Sequence, residues 1–171
     1  MNLVLIGYRG TGKSTIGKQI ARTLQMDYVG FDQEIVNRAG MSIPEIVEKY
    51  SWDYFRDLES QVVEDFSCQD NQVLDTGGGV ITRARNTENL KKNGVVFLLA
   101  ATVEDIIKRI AATQDRPSLT GEHSFLEEID GVLKERQPLY QAAADYVINT
   151  SQLSPGQAAE KIIKLFQDRI H

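Results

Sequence analysis

The stretch Gly7-Tyr8-Arg9-Gly10-Thr11-Gly12-Lys13-Ser14-Thr15 constrains this chain more than any other. It follows a short, nearly all-apolar run, Asn2 to Ile6, which reads as a parallel strand buried on both faces. It precedes Ile16, Ile20 and Leu24, whose recurrence every four residues predicts an amphipathic helix from about Lys13 to Leu24. A G-x-x-x-x-G-K-[ST] loop between strand and helix turns successive backbone N–H groups inward around phosphate oxygens, with the positive end of the helix dipole behind them. Gly10, Thr11, Gly12, Lys13, Ser14 and Thr15 are therefore candidate nucleotide-binding residues. Lys13 can reach the β and γ phosphates, and the Ser14 hydroxyl can take a magnesium ligand position. ATP or GTP is the ligand class this implies. The lack of an N-K-x-D guanine-reading motif argues against a GTPase switch, and a length of 171 residues against a large motor domain.

Beyond the loop, strands and helices alternate about five times. Tyr28 to Phe31, Gln72 to Asp75, Val95 to Ala100 and Tyr146 to Ile148 read as further strands. Helices are expected over Asp32–Ala39, from Ser42 (a capping box with Glu45 and a staple of Met41 on Ile46), over Ser51–Ser67, and from Thr102. Two more start at Ser124, which pairs with Glu127 and runs to about Gln137 before Pro138, and at Ser154-Pro155. Trp52, Phe55 and Phe66 are expected in the core. The pattern predicts a three-layer α/β fold with a mostly parallel sheet. The helices between residues 32 and 67 have no clear strand among them and read as an insertion beside the sheet. Residues 111–123, almost without apolar side chains, read as a mobile surface loop.

Charge and cysteine usage narrow the function classes. The net charge is -5, yet the first 26 residues hold Arg9, Lys13, Lys18 and Arg22 with no acid. A local positive site in an acidic chain suits a small anionic ligand better than a nucleic acid. The one cysteine, Cys68, cannot form an internal disulfide and is expected as a small core hydrophobe. No apolar run is long enough for a membrane span or a signal peptide's hydrophobic region, so a soluble, cytoplasmic, single-core protein is the expectation. His123, His171 and Cys68 have no metal-ligand spacing. Any magnesium should arrive with nucleotide phosphates.

Other polar positions carry weaker signals. Gly77-Gly78-Gly79, directly after a strand, permits close backbone approach to a ligand, with a flexible loop as the plain alternative. Arg136 falls on the apolar stripe Leu126, Ile129, Leu133, Tyr140, where it must find an anion, an internal acid or solvent. Arg56 lies among Asp57 and Glu59, so pairing along the helix is an equal alternative to ligand binding. Arg116, in the polar loop, could fold onto transferring phosphates or stay solvated.

Taken in order, these motifs resemble the shikimate kinase family, within the wider nucleoside-monophosphate-kinase-like fold. They are the loop from Gly7, Asp32 before a helix, Phe55-Arg56 with Glu59, Gly77-Gly78-Gly79, Arg116-Pro117, Arg136 before Pro138-Leu139-Tyr140, and Asn149-Thr150 to Ser154-Pro155. The resemblance covers nearly the whole chain. It implies one kinase domain, residues 1–171, with a five-stranded parallel sheet, a helical substrate-binding insertion at about 32–60 and a mobile lid at about 111–123. It implies transfer of the ATP γ-phosphoryl group to the 3-hydroxyl of shikimate, with magnesium as cofactor, by a monomer that binds neither nucleic acid nor membrane.

By position, the resemblance makes Lys13, Asp32 and Arg116 the catalytic set. Asp32, Arg56, Gly77, Gly78, Gly79 and Arg136 become the substrate site, the arginines holding the carboxylate. Arg109 and Pro155 join the phosphate loop and Arg116 on the nucleotide side, Arg109 against adenine. One departure stands out. The family commonly carries D-x-D where this chain has Gly30-Phe31-Asp32, so the first acid is a glycine. Asp75, ending a strand as a Walker-B-type acid does, is the candidate to serve the metal's outer shell instead. A kinase of another small hydroxy acid, and an ATP-binding module with little turnover, are the alternatives that this departure leaves open.

Overall fold

The computed structural model describes residues 1–112 and 125–171. Ser124, His123 and most of the expected lid, with Arg116 and Pro117, lie outside the described residues, as does the side chain of Leu126. Five strands, β1 (Asn2–Ile6), β2 (Asp27–Gly30), β3 (Gln72–Asp75), β4 (Gly94–Ala100) and β5 (Tyr146–Asn149), pair in parallel in the order β2-β3-β1-β4-β5. The central β1 is buried throughout, and the alternation of its side chains divides the core. Leu3 and Leu5 face one layer with Val73, Phe97, Leu99, Ile16, Ile20 and Ile162. Val4 and Ile6 face the other with Phe31, Ile35, Ile46, Phe55, Val62, Leu74 and Leu90. Each such side chain contributes about 1.5–3 kcal/mol on burial, and the twofold stripe fixes the register because a one-residue slip would exchange the two layers.

The helices are α1 (Lys13–Leu24), α2 (Phe31–Ala39), α3 (Ile43–Lys49), α4 (Trp52–Ser67), α5 (Ala84–Lys92), α6 (Val103–Ala111), α7 (Phe125–Ala143) and α8 (Pro155–Ile170). Their starts follow the expected local chemistry. Ser42 and Ser154 form complete capping boxes with Glu45 and Gln157, while Ser51 and Thr102 accept from the backbone N–H groups of Tyr54 and Asp105. α1 and α8 cover one face of the sheet, and the insertion α2–α4 with α5 and the end of α7 covers the other. A smaller cluster joins Tyr8 of the first loop to Ile106 and Ile129.

Several expectations need correction. Phe31 is the first residue of α2, not the end of β2, and is fully buried under the insertion. α5 was not expected: its sequence is polar, and Leu90 with Asn86, which donates to the Val80 carbonyl, holds it against the core. Cys68 caps α4 at the surface and donates to the Asp65 carbonyl, so it is not a core residue. Trp52 is 44% exposed and packs edge-on against Phe55, which is the core residue of that pair.

α7 also continues through Pro138 to Ala143 where the sequence suggested a disturbance at Gln137. Tyr140 and Ala143 are both buried, and the Tyr140 hydroxyl donates to the Gly78 carbonyl. That packing outweighs the missing backbone bond, whose loss costs about 3 kcal/mol in a helix interior. Because the Pro138 ring is exposed, Pro138→Ala should restore a bond to the Lys134 carbonyl without losing packing. We expect a gain of about 1–2 kcal/mol in urea unfolding, the bond being offset by the freer unfolded chain. A loss of stability would show that a proline-set bend is part of the packing.

Candidate active site

All five strands end at the same edge of the sheet, and the loops that leave them surround a cleft of about 1150 Å³. At its centre is the loop between β1 and α1. Gly7, Gly10 and Gly12 have φ values of 142°, 79° and 93°, a run of conformations that points the loop's amides inward. A Cβ on Gly7 would stand 2.5 Å from the Leu99 carbonyl oxygen of β4, so the position takes no side chain. Lys13 is nearly buried and folds back over the loop, Nζ donating to the carbonyls of Gly7 (2.8 Å) and Tyr8 (3.0 Å). Thr11 Oγ1 donates to the Tyr8 carbonyl at 2.8 Å. With Gly12 as N-cap, no side chain caps α1, and its first turn carries no acid. Its N-terminal amides and dipole thus face the cleft, the arrangement that holds phosphate.

Beside the loop, Ser14 Oγ donates to Asp75 Oδ2 at 2.6 Å. Asp75 ends β3 and pairs in register with Gly30 at the end of β2. The acid and the glycine that replaces the expected acid are therefore cross-strand neighbours. Tyr28 Oη donates to the same Oδ2, also at 2.6 Å. Burial, and then the Asp75 charge, push the Tyr28 phenol well above its ordinary range, so it remains a neutral donor.

Across the loop from Asp75 lies Gly77-Gly78-Gly79. A Cβ on Gly77 would meet Glu59 Oε1 at 2.7 Å and Asp32 Oδ1 at 3.1 Å. One on Gly78 would lie 3.6 Å from Arg136 Nη1, the Gly7 carbonyl oxygen and Tyr140 Oη alike. One on Gly79 would collide with the Arg56 guanidinium, 2.1 Å from Nη2. The glycines thus let Asp32, Glu59, Arg56 and Arg136 close around a single stretch of backbone that also touches the phosphate loop. Arg56 Nη1 donates to Glu59 Oε2 at 2.7 Å, and its guanidinium lies over the Phe55 and Trp52 rings. The helix-pairing alternative for Arg56 holds, but the partner is wholly buried rather than on the surface. Burial pushes the Glu59 carboxyl up, against the pull of Arg56. Its Oε1 is buried and has no hydrogen-bond partner among the described residues. Burial likewise raises the Tyr140 phenol, to about 12.

The far end of the cleft is closed by Arg109, Thr150 and Pro155. Arg109 donates to the Gly10 carbonyl (3.2 Å), to Thr150 Oγ1 (3.0 Å) and to the Thr150 carbonyl (2.9 Å). Thr150 Oγ1 lies 3.0 Å from the Thr11 carbonyl oxygen and 3.2 Å from that of Ala100, so one hydroxyl joins the phosphate loop to the ends of β4 and β5.

The residues expected at the nucleotide side, Gly10 to Thr15, Arg109 and Pro155, line this cleft with Asp32, Asp75, Gly77 and Gly78. Arg56, Gly79 and Arg136 adjoin it through the glycine loop. Sequence reasoning missed Tyr28, and it named Thr150 only as part of the loop before Pro155, without the bonds to the phosphate loop and Arg109. For Tyr28 a signal existed, since it stands two residues before Gly30 on one strand and so shares its face. The partner that gives it meaning, Asp75, is joined to it only by strand register. Among the described residues no helix is long and apolar enough to cross a membrane.

Comparison with known proteins agrees with this geometry. A family model described as shikimate kinase matches residues 9–167. The shikimate kinase of Thermodesulfovibrio yellowstonii is 42% identical over 166 residues, covering 97% of this chain and 95% of that one. That of Caldanaerobacter subterraneus subsp. tengcongensis is 42% identical over 165 residues, covering 96% and 95%. The structure of shikimate kinase from Acinetobacter baumannii in complex with shikimate superposes with a TM-score of 0.92 at 36% identity, covering 98% of this chain and 93% of that one. A phosphate loop, a glycine loop flanked by arginines and a match along nearly the full length lead to one conclusion: this chain belongs to the shikimate kinase family of ATP-dependent small-molecule kinases.

Proposed function

We propose that this chain transfers the γ-phosphoryl group of ATP to the 3-hydroxyl of shikimate, giving shikimate 3-phosphate and ADP. The observation that carries the reading is the placement of Arg56 and Arg136 on either side of the glycine loop, whose Gly78 also abuts the phosphate loop at Gly7. Paired guanidinium forks match a planar carboxylate, and the shared backbone sets the acid-bearing ring at a fixed distance from the phosphates. Glu59 holds Arg56 from below, so the fork is positioned before any substrate arrives.

In this reading Asp32 orients the acceptor hydroxyl. The hydroxyl oxygen bonds to the γ-phosphorus while the bridging bond to the β-phosphate breaks, ADP leaves, and the hydroxyl proton passes to Asp32. Lys13 turns from the loop carbonyls to the phosphates. Arg116, outside the described residues, joins it by the family pattern. Arg109 and Pro155 border the adenine. The donor set suits magnesium, which prefers hard oxygen ligands and retains water: the Ser14 hydroxyl offers its lone pairs while its proton is engaged by Asp75. When bound, magnesium would neutralise phosphate charge, with Ser14 as ligand and Asp75 in the outer shell. The chain is read as acting as a monomer.

Release of ADP from MgATP should depend on shikimate and vanish in Lys13→Ala, with gluconate and nucleoside monophosphates neither serving as acceptors nor competing. ADP release that ignores shikimate would mean another acceptor, and nucleotide binding without turnover would mean a binding module. For the clamp, we expect Arg136→Ala to raise the KM for shikimate about 10- to 100-fold, the value of a charge-assisted bond, with the KM for ATP nearly unchanged. Equal weakening of both would reassign Arg136 to a structural role. Asp75→Asn should lower turnover at limiting magnesium far more than it weakens shikimate binding. An unaltered magnesium requirement in that variant would remove Asp75 from the metal's surroundings.

A further inference from the structure

Tyr28 is absorbed by neither the clamp nor the phosphate loop, yet it is half-buried at the cleft's edge with neighbours at both ends of its ring. Its ring lies against α1 where Gly17 has no side chain; a Cβ there would stand 3.1 Å from Cε2. Lys18 Nζ lies 5.6 Å from the ring centroid. At the other end of the ring, the phenol tip fills the room beside Gly30, whose added Cβ would be 3.4 Å from Oη. From this wedge, Oη donates to the carboxylate oxygen that also accepts from Ser14.

We infer that Tyr28 is a positioning residue for the metal site, holding Asp75 in the one orientation that keeps the Ser14 proton engaged and its lone pairs turned toward the phosphates. The inference rests on the reading of Ser14 and Asp75 given above. The chemistry is local. A serine hydroxyl has one proton and two lone pairs; with the proton committed to a fixed carboxylate, both lone pairs are free for a cation, and the oxygen is the more electron-rich for it. A carboxylate at a strand end can rotate about its own side-chain bonds. Two donors on one oxygen, delivered from β2 and from the phosphate loop, remove that freedom. Position 30 borders the same device, since a Cβ there would rest in van der Waals contact with the phenol that reaches Asp75. In this chain the acid stands at the end of β3, cross-strand from Gly30, and Tyr28 of β2 reaches it from the neighbouring strand.

The test separates metal binding from nucleotide and substrate binding. Manganese is titrated into the full-length chain with saturating ADP and followed by electron paramagnetic resonance. ADP binding and shikimate binding are measured on matched metal-free samples in EDTA. Tyr28→Phe, which keeps the ring and removes only Oη, should weaken manganese about tenfold, the scale on which outer-sphere partners act, and leave the two metal-free affinities within about twofold. Gly17→Ala, which presses on the ring and on Leu5 Cδ1 of β1, should shift manganese affinity in the same direction while metal-free ADP binding stays within about twofold. Unchanged manganese affinity in Tyr28→Phe, with a loss in Asp75→Asn, would overturn the role of Tyr28 and leave that of Asp75 standing. Unchanged affinity in both would overturn the metal reading itself. Equal loss of metal-free ADP binding in Tyr28→Phe would also overturn the inference, by showing a loosened fold.

Discussion

A β-strand buried on both faces cannot expose its polar edge anywhere along its length, so its functional groups must gather beyond its end. β1 imposes this on the whole molecule. Its alternating Leu3, Leu5 and Val4, Ile6 seal two hydrophobic layers, and the chain emerges at Gly7 with its next amides free to turn. Because β2, β3, β4 and β5 all run parallel to it, their last residues, Gly30, Asp75, Ala100 and Asn149, arrive at the same edge. The cleft is thus a property of the sheet's direction before it is a property of any side chain.

The two halves of the cleft are organised by different physics. Around the phosphate loop, backbone amides and a helix dipole supply fixed partial charges, and side chains such as Lys13 and Thr11 are themselves held by backbone carbonyls. Around the glycine loop, full charges are balanced at close range, with Glu59 fully buried and Asp32, Arg56 and Arg136 partly so. Glu59 is wholly buried beside Arg56, in the neighbourhood of Asp32 and Arg136. A buried pair of this kind seldom adds stability, since desolvation offsets attraction, but it fixes geometry. Tyr140 fastens the glycine loop to α7, its hydroxyl donating to the Gly78 carbonyl.

What the sequence disclosed was what is local. The phosphate loop, the capping boxes at Ser42 and Ser154 and the strand of β4 each declare themselves within a few residues, because the chemistry that forms them acts over one turn or one strand. What it concealed depends on partners far along the chain. α5 is a helix by docking more than by pattern, held through Leu90 and Asn86. α7 survives Pro138 because Tyr140 and Ala143 are buried beyond it. The Arg56–Glu59 pair looked like surface helix chemistry until the glycine loop closed over it. The Gly30 departure was visible only against the pattern of the family that the chain resembles. Its cross-strand adjacency to Asp75 could come only from register.

That adjacency bears on how such a site can change through descent. Gly17, Tyr28, Gly30 and Asp75 occupy one another's space: the ring sits where a side chain at 17 would be, and the phenol sits beside the one that 30 lacks. An acid introduced at position 30 alone would set a second carboxylate across the ladder from Asp75, like charge beside like. What one of these four positions can carry therefore depends on what stands at the other three, though they are spread along the chain from α1 to the end of β3.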